Sequence, residues 1–259
     1  MRISTGAVLV LMLAFAGGLA AGEGPFHGTW KLNPAKSKLT GDTMKYEKTA
    51  SGAIRNSASG VSYTFNVDGK EYTGPFGEAI VWKQIDDHTW ETTYTQKGIL
   101  LSTDTTKLSP DGKTMTVVSK GTKPSGETFQ DTVVYERIAG EKGLLGGWRD
   151  KEVKVSAPET LEIKPSGKDG LLMTSVGYKW TFEAQFDGKD YPVIGPTVGA
   201  GMTGALKHIG PHSFSLLVKK NGKPLFRETY TVSRDGRTLT VAGSAVAVNE
   251  PYTEVFERQ

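Results

Sequence analysis

One short pattern occurs twice in this chain, and it constrains the fold more than any other feature. Residues 108–117 hold two strand-like stretches around an Asp-Gly pair, and residues 232–241 repeat the pattern 124 positions later. Gly adopts positive φ without a steric penalty and Asp tolerates it, so the pair favours a tight hairpin turn. The residues after the pair alternate in polarity, which allows one face of each strand to be buried. The recurrence predicts a tandem duplication of one β domain.

Further short matches extend the repeat over most of the chain. Gly28-Thr29-Trp30 returns as Gly146-Gly147-Trp148, shifted by 118 residues. Residues 68–72 match 187–191, and residues 135–137 match 256–258. The shift changes only in loop-like places, where insertions are tolerated. These matches predict two domains, over residues 23–139 and 144–259, joined by a short glycine-containing connection.

The spacing of the turn signals predicts that both domains are all-β. In the first half, residues 44–57, 61–67 and 89–96 have the composition of strands, and pairs such as Asp86-Asp87 separate neighbouring strands. Short strands at this spacing, with no amphipathic helix between them, are typical of an antiparallel sandwich or barrel. The pattern alone leaves both architectures open.

Composition limits the partners and the compartment. The chain has 259 residues, of which 37% are hydrophobic, enough for two separate cores. Its 31 basic and 28 acidic residues nearly balance, and no run of five like charges occurs, so neither nucleic acid nor an anionic membrane is an expected partner. The absence of cysteine excludes disulfides, thiol nucleophiles and thiolate metal sites. An exported protein without disulfides is typical of bacteria, which favours a periplasmic or extracellular location.

The first 22 residues have the three parts of a secretory signal peptide. Arg2 supplies a positive charge, residues 7–16 are apolar, and residues 17–22 are mostly small and suited to cleavage. The apolar run is short for a membrane span, and no other stretch reaches that length. We therefore expect an exported protein without a membrane span once residues 1–22 are removed.

The two Gly-x-Trp triplets resemble the opening strand of lipocalins, and residues 28–32 are also similar to the start of fatty-acid-binding proteins. The resemblance implies two tandem lipocalin-like antiparallel β-barrels of about eight strands each. In that group an Arg of the last strand stacks on the opening Trp and closes the barrel base. This implies structural pairs of Trp30 with Arg137 and of Trp148 with Arg258. A guanidinium over an indole ring contributes about 0.5–2 kcal/mol.

A barrel of about eight strands encloses either a packed core or a cavity for one small ligand. Large aromatic residues on the predicted strands are candidates for the wall of such a cavity, although residues of this kind more often fill an ordinary core. The candidate ligand-binding residues are Tyr63, Phe65, Trp82, Trp90, Tyr94, Trp180, Phe182, Phe186, Phe214 and Phe226. The glycine-rich residues 194–205 of the second half are either a lid at a barrel mouth or a plain connection.

The sequence contains no recognisable catalytic or metal-binding motif. His208 and His212 flank a Gly-Pro pair, which argues against the helix that would aim both at one metal ion. No Gly-x-Ser-x-Gly nucleophile elbow is present, and Asp86-Asp87-His88 lies in a predicted turn where Asp is expected for conformational reasons. We therefore predict no catalytic residue, no metal and no cofactor.

Two classes of function remain from the sequence. The first is an exported, non-catalytic protein that binds a small hydrophobic ligand in one or both barrels. The second is a structural or protein-interaction module whose barrels are filled. An enzyme that uses a barrel mouth is the third interpretation.

Overall fold

The structure is a computed structural model that describes residues 24–140 and 142–259. The predicted signal peptide over residues 1–22 lies outside the described residues. In the described part of the chain, regular structure consists of β-strands and one short 3-10 turn at Pro34–Lys36. No helix among these residues has the length and apolar character needed to span a membrane.

The strands of the first half of the chain are β1 (Gly28–Leu32), β2 (Thr43–Lys48), β3 (Ile54–Ala58), β4 (Val61–Phe65), β5 (Glu71–Thr73), β6 (Ala79–Asp86), β7 (Thr89–Gln96), β8 (Ile99–Leu108), β9 (Thr114–Thr122) and β10 (Thr128–Ala139). Those of the second half are β11 (Gly146–Lys154), β12 (Thr160–Pro165), β13 (Gly170–Ser175), β14 (Thr181–Gln185), β15 (Tyr191–Ile194), β16 (Met202–Gly210), β17 (Ser213–Lys220), β18 (Lys223–Val232), β19 (Thr238–Ala245) and β20 (Pro251–Arg258).

These strands form two antiparallel sheets of ten strands each, one closed into a barrel and the other nearly closed. The prediction of about eight strands per barrel is therefore wrong. Tight turns divide the chain into shorter strands than the sequence pattern indicated. The region 44–57, predicted as one strand, folds back at Gly52 into β2 and β3, and β5 has only three residues.

The two halves of the chain exchange their opening strands. β1 lies between β12 and β20, so it belongs to the closed barrel, whose other strands are β12 to β20. β11 lies between β10 and β2 in the nearly closed sheet, whose other strands are β2 to β10. We call the nearly closed sheet the first barrel and the closed one the second barrel. The predicted domain ranges of 23–139 and 144–259 thus follow the sequence repeat, whereas each sheet takes one strand from outside its range.

The short connection between the halves explains the exchange. Only a few residues separate the end of β10 at Ala139 from the start of β11 at Gly146, and antiparallel strands joined this closely pair as a hairpin. β11 therefore occupies the position beside β10 that β1 would fill if each half closed on itself. β1 takes the equivalent position beside β20 in the other sheet.

The stacking between Arg and Trp follows the exchanged strands. The Arg137 guanidinium lies 4.0 Å from the ring centre of Trp148, and that of Arg258 lies 4.1 Å from the ring centre of Trp30. The expected pairing within each half, Trp30 with Arg137 and Trp148 with Arg258, is therefore wrong. Both indoles are fully buried, so each ion lies over a desolvated ring.

The glycine of each Gly-x-Trp triplet is required by this stacking. Gly28 and Gly146 have φ values of 138° and 135°, which residues with a side chain rarely adopt. A Cβ at Gly28 would clash with Nη1 of Arg258. One at Gly146 would clash first with the carbonyl oxygen of Ala139 and would also lie 2.8 Å from Nη1 of Arg137. In each triplet the Trp therefore supplies the buried ring, and the Gly leaves the space that the Arg guanidinium needs to lie over that ring.

Each barrel has its own apolar core. In the first barrel the buried core side chains are Tyr46, Phe65, Ile80, Trp82, Trp90, Leu108, Met115, Leu144 and Trp148. In the second they include Phe26, Trp30, Leu32, Leu161, Ile163, Leu171, Met173, Phe182, Leu206, Phe214, Tyr230, Val232, Leu239, Val241 and Phe256. The exchanged strands contribute Trp148 to one core and Trp30 to the other.

Candidate functional site

A cavity of about 630 Å³ lies between the two barrels and is lined by both. The first barrel contributes Phe76, Glu78, Tyr94, Gln96, Leu101, Ser102 and Asp104. The second contributes Met173, Trp180, Phe182, Val193, Thr197, Val198, Gly199, Met202, Gly204, Leu216, Val218, Glu228 and Tyr230. Most of these side chains are apolar, and a few polar groups lie among them.

The inward faces of the strands place these residues. Successive side chains on a strand point to opposite faces, so Trp90, Tyr94 and Gln96 of β7 share the inner face of the first barrel. Trp90 is buried in the core, whereas Tyr94 and Gln96 line the cavity. In the second barrel the inner face of β18 carries Val232 in the core and Glu228 at the cavity. Each barrel is therefore packed in one part and open to the cavity in another.

The glycine-rich residues 194–205 form part of the cavity wall where the barrels meet. Gly199 is buried, and a Cβ there would lie 2.2 Å from the carbonyl oxygen of Phe76 in the first barrel. Lys97 Nζ donates to the carbonyl of Gly195 at 3.2 Å, which also joins the two barrels. A glycine is needed at position 199 because the two backbones approach so closely.

Two carboxyl groups reach the cavity from equivalent positions of the repeat. Asp104 of β8 and Glu228 of β18 are separated by the same 124 residues that separate the two hairpins. Glu228 accepts hydrogen bonds from the hydroxyls of Tyr230, at 2.9 Å, and Tyr252, at 2.6 Å. Burial raises the pKa of both carboxyls above the usual values, and hydrogen bonds partly offset the shift.

Two acceptors at the first-barrel side of the cavity have no donor. Within the described residues, neither Oδ1 of Asp104 nor Oε1 of Gln96 has a hydrogen-bond partner, although both atoms are buried. Gln96 is only 4% exposed, and its Nε2 donates to the Phe76 carbonyl at 3.5 Å. Buried acceptors are normally satisfied, so each of these atoms is available to a donor of a bound molecule. The pairing of β7 with β8 sets their residues four positions apart along the sheet.

Most aromatic residues predicted as pocket wall belong to the cores, and three of them also line the cavity. Those three are Tyr94, Trp180 and Phe182. Packed in or against the two cores are Tyr63, Phe65, Trp82, Trp90, Phe186 and Phe214. Phe226 is half-buried on β18 and belongs to neither group. Periodicity identifies inward residues, but their depth along the barrel decides which of them meet the cavity.

Sequence reasoning missed the polar residues of the site. Gln96, Asp104 and Glu228 are polar residues at inward positions of strands. The signal for two of them was present, because Asp104 and Glu228 occupy matching positions in a repeat whose shift is constant in this region. An acidic residue kept on the inner face of both copies is unusual for a filled core.

The histidines do not form a metal site in the part of the chain described. His208 stacks on Phe186 with ring centres 3.9 Å apart, and its Nε2 lies 2.9 Å from Oδ1 of Asp169. Across residues 24–140 and 142–259, no group of three His, Asp or Glu side chains is arranged to hold a metal ion. His208 therefore has an aromatic and an acidic neighbour that account for its position.

The largely buried carboxyl of Glu254 in the second barrel should make the stability of the protein depend on pH. Burial, followed by the charges of Glu228 and Glu159, raises the pKa of Glu254 from 4.5 to about 7. Because the folded state holds this proton more tightly, stability should fall as the pH rises from about 4.5 to about 7. Glu254→Gln should remove this contribution, at most about 3 kcal/mol. Chemical denaturation of both proteins at pH 5 and pH 8 measures it.

Glu257 on the same strand provides the matched control. It is half-exposed and pairs with Lys36 at 2.6 Å, which lowers its pKa. Glu257→Gln should therefore leave the fall in stability above pH 4.5 in place. An unchanged pH dependence in Glu254→Gln would contradict the assignment; the neighbouring titratable groups are Glu228, Glu159, Tyr230 and Tyr252.

No protein-family model, no curated protein and no solved structure matches this chain. The likeness to lipocalins is thus one of short motifs, centred on the two Gly-x-Trp triplets. The functional interpretation depends on the cavity itself: its size, its apolar walls and its buried acceptors.

Proposed function

We propose that this protein is an exported, non-catalytic, lipocalin-like protein that binds a small, mostly apolar molecule between its two barrels. The observation that supports this most directly is the cavity of about 630 Å³ with mainly apolar walls. Small-molecule sites are commonly about 300–1,000 Å³, apolar, and supplied with a few polar groups that orient the ligand. This cavity has all three properties.

The position of the cavity also favours binding over a purely structural role. In a filled barrel the inward side chains would pack along the whole strand, as Trp90 and Val232 do. Instead, Tyr94 and Gln96 of β7, and Glu228 of β18, face open space. A structural or interaction module remains the second candidate. Under that hypothesis, a side chain that fills the cavity should leave the activity of the protein unchanged.

The exported location is part of the proposal and is supported by the sequence. Residues 1–22 have the pattern of a cleaved signal peptide, and the chain contains no cysteine. A bacterial periplasmic or extracellular protein would meet apolar molecules in water, where a sheltered cavity keeps them soluble.

A cavity-filling variant tests the proposal. Val218 of β17 lines the cavity, so Val218→Trp should reduce the affinity for a fluorescent apolar probe by about tenfold or more, since the larger ring occupies the ligand's space. Leu217→Trp is the matched control, because residue 217 points to the opposite face of the strand. Probe titration of both variants and the parent protein measures the effect.

Thermal unfolding of the same proteins separates filling from misfolding. Val218→Trp should keep a cooperative transition while it loses probe binding. Failure of the parent protein to bind any apolar probe saturably, or equal binding by both variants, would contradict a ligand site in this cavity.

A further inference from the structure

We infer that the ligand of this cavity carries a protonated amine, which the acids Asp104 and Glu228 favour from opposite walls, and that the acceptor of Gln96 takes a further donor of the ligand elsewhere on the wall. The inference rests on the proposed function and adds the chemical class of the head group. Its first support is the pair of buried acceptors without donors, Oδ1 of Asp104 and Oε1 of Gln96. A ligand that donates hydrogen bonds would satisfy them, whereas a purely apolar ligand would leave them unpaired.

The orientation of Gln96 makes its oxygen the group presented. Its Nε2 donates a hydrogen bond to the Phe76 carbonyl at 3.5 Å, so Oε1 is the amide atom that has no partner. The side chain is buried to more than nine-tenths and lines the cavity. An acceptor held in this way selects a donor and does not select another acceptor, such as a carboxylate.

A third polar group lies next to Asp104. The pairing of β7 with β8 sets Thr92 opposite Asp104, and Oγ1 of Thr92 is buried without a partner in the described structure. The wall of the first barrel is therefore polar around Asp104. From the second barrel, Glu228 adds a carboxyl whose two oxygens already accept from Tyr230 and Tyr252.

The charges around the cavity favour a cation. The residues that line it include three acids, Glu78, Asp104 and Glu228, and no Lys, Arg or His. The nearby cations Lys97 and Lys220 direct their ammonium groups to the backbone carbonyls of Gly195 and Ala200. A ligand carboxylate would meet acidic groups inside the cavity, whereas an ammonium would favour their ionised forms and counter the effect of burial.

A comparison of three ligands of equal chain length tests the inference on the full-length mature protein. Dodecylamine, dodecanol and dodecanoate share one apolar chain and differ in the head group. We expect dodecylamine to displace the apolar probe about tenfold or more tightly than dodecanol, since a charge-assisted hydrogen bond contributes about that much. Dodecanoate should bind more weakly than dodecanol. All three are used below the concentration at which they form micelles.

Substitution of the carboxyls then assigns the head-group site. Asp104→Asn and Glu228→Gln each remove a charge with little change in size, and each should reduce the preference for the amine over the alcohol by about tenfold. Asp87→Asn, the same change at an exposed turn, should leave the preference unaltered. For each variant the measured quantity is the ratio of its affinity for dodecylamine to its affinity for dodecanol. A partial loss of stability lowers both affinities and leaves this ratio unchanged.

The outcomes distinguish the inference from the function on which it rests. If the parent protein binds no apolar probe saturably, the proposed function fails. If the probe binds but dodecylamine does not displace it, the inference is overturned and apolar binding stands. If the alcohol binds as tightly as the amine, or if dodecanoate binds best, the inference is overturned and apolar binding stands. If the amine is preferred but neither substitution changes the preference, the assignment to Asp104 and Glu228 is overturned.

Discussion

Removal of β1 should open the second barrel and leave the first barrel intact, although β1 is the first strand of the chain. β1 pairs with β12 on one side and with β20 on the other, and both belong to the second barrel. A chain that begins at residue 34 would also lose Phe26, Trp30 and Leu32, all buried in the second core. Losing three such side chains costs about 8 kcal/mol or more, which is comparable with the whole stability of a domain.

Hydrogen exchange measured by mass spectrometry would locate the damage. In the truncated chain the amides of β12 and β20 should exchange rapidly, because their hydrogen-bond partners are gone. The amides of β2 and β10 should stay protected, because their shared neighbour is β11. Rapid exchange in β2 and β10, with β12 and β20 protected, would mean that each half closes on its own first strand.

Trp148→Ala should destabilise the first barrel by about 3–5 kcal/mol, the cost of removing a large buried aromatic side chain. Trp148 is 0% exposed, its ring lies 4.0 Å from the Arg137 guanidinium, and its Nε1 donates to the Leu144 carbonyl at 3.0 Å. The residue comes from the second half of the chain, yet the loss should appear in β2 to β10. Denaturant unfolding gives the total loss, and hydrogen exchange assigns it to a barrel.

A double-mutant cycle identifies the partner of Trp148. Arg137→Ala and Trp148→Ala should be coupled by about 0.5–2 kcal/mol, the value of a guanidinium over an indole ring. In the parent protein Arg258 stacks on Trp30 and not on Trp148. Arg258→Ala should therefore show no coupling to Trp148→Ala beyond experimental error. Coupling of Trp148 to Arg258 in place of Arg137 would contradict the exchange of strands.

The local turns were predictable because they depend on neighbouring residues. Gly112 and Gly236 have φ values of 69° and 70°, as the Asp-Gly pairs required. In each turn the Asp carboxylate accepts from the backbone two residues later, Lys113 N at 3.0 Å and Arg237 N at 3.1 Å. The repeat of these turns, with the alternation after them, was sufficient to predict an all-β fold of two similar sheets.

The number of strands was not predictable in the same way. Residues 44–57 have strand-like composition throughout, and a single glycine turn decides that they form two strands. A three-residue strand such as β5 leaves almost no periodic pattern. Short strands are held by their neighbours in the sheet more than by their own propensity, so composition underestimates them.

By itself, the sequence determined the repeat and the hairpins, and its resemblance to lipocalins indicated the Trp and Arg residues of the closing pairs. Only the tertiary structure decided that Trp30 meets Arg258 and that Trp148 meets Arg137. The two copies have equivalent sheet edges, beside β10 and beside β20, and either opening strand could pair with either edge. The short connection after β10 places β11 beside β10 and leaves the edge of β20 to β1. It also decided that Asp104 and Glu228 share one cavity. Alternation shows that a side chain points inward, whereas the packing of one barrel against the other determines what it meets there.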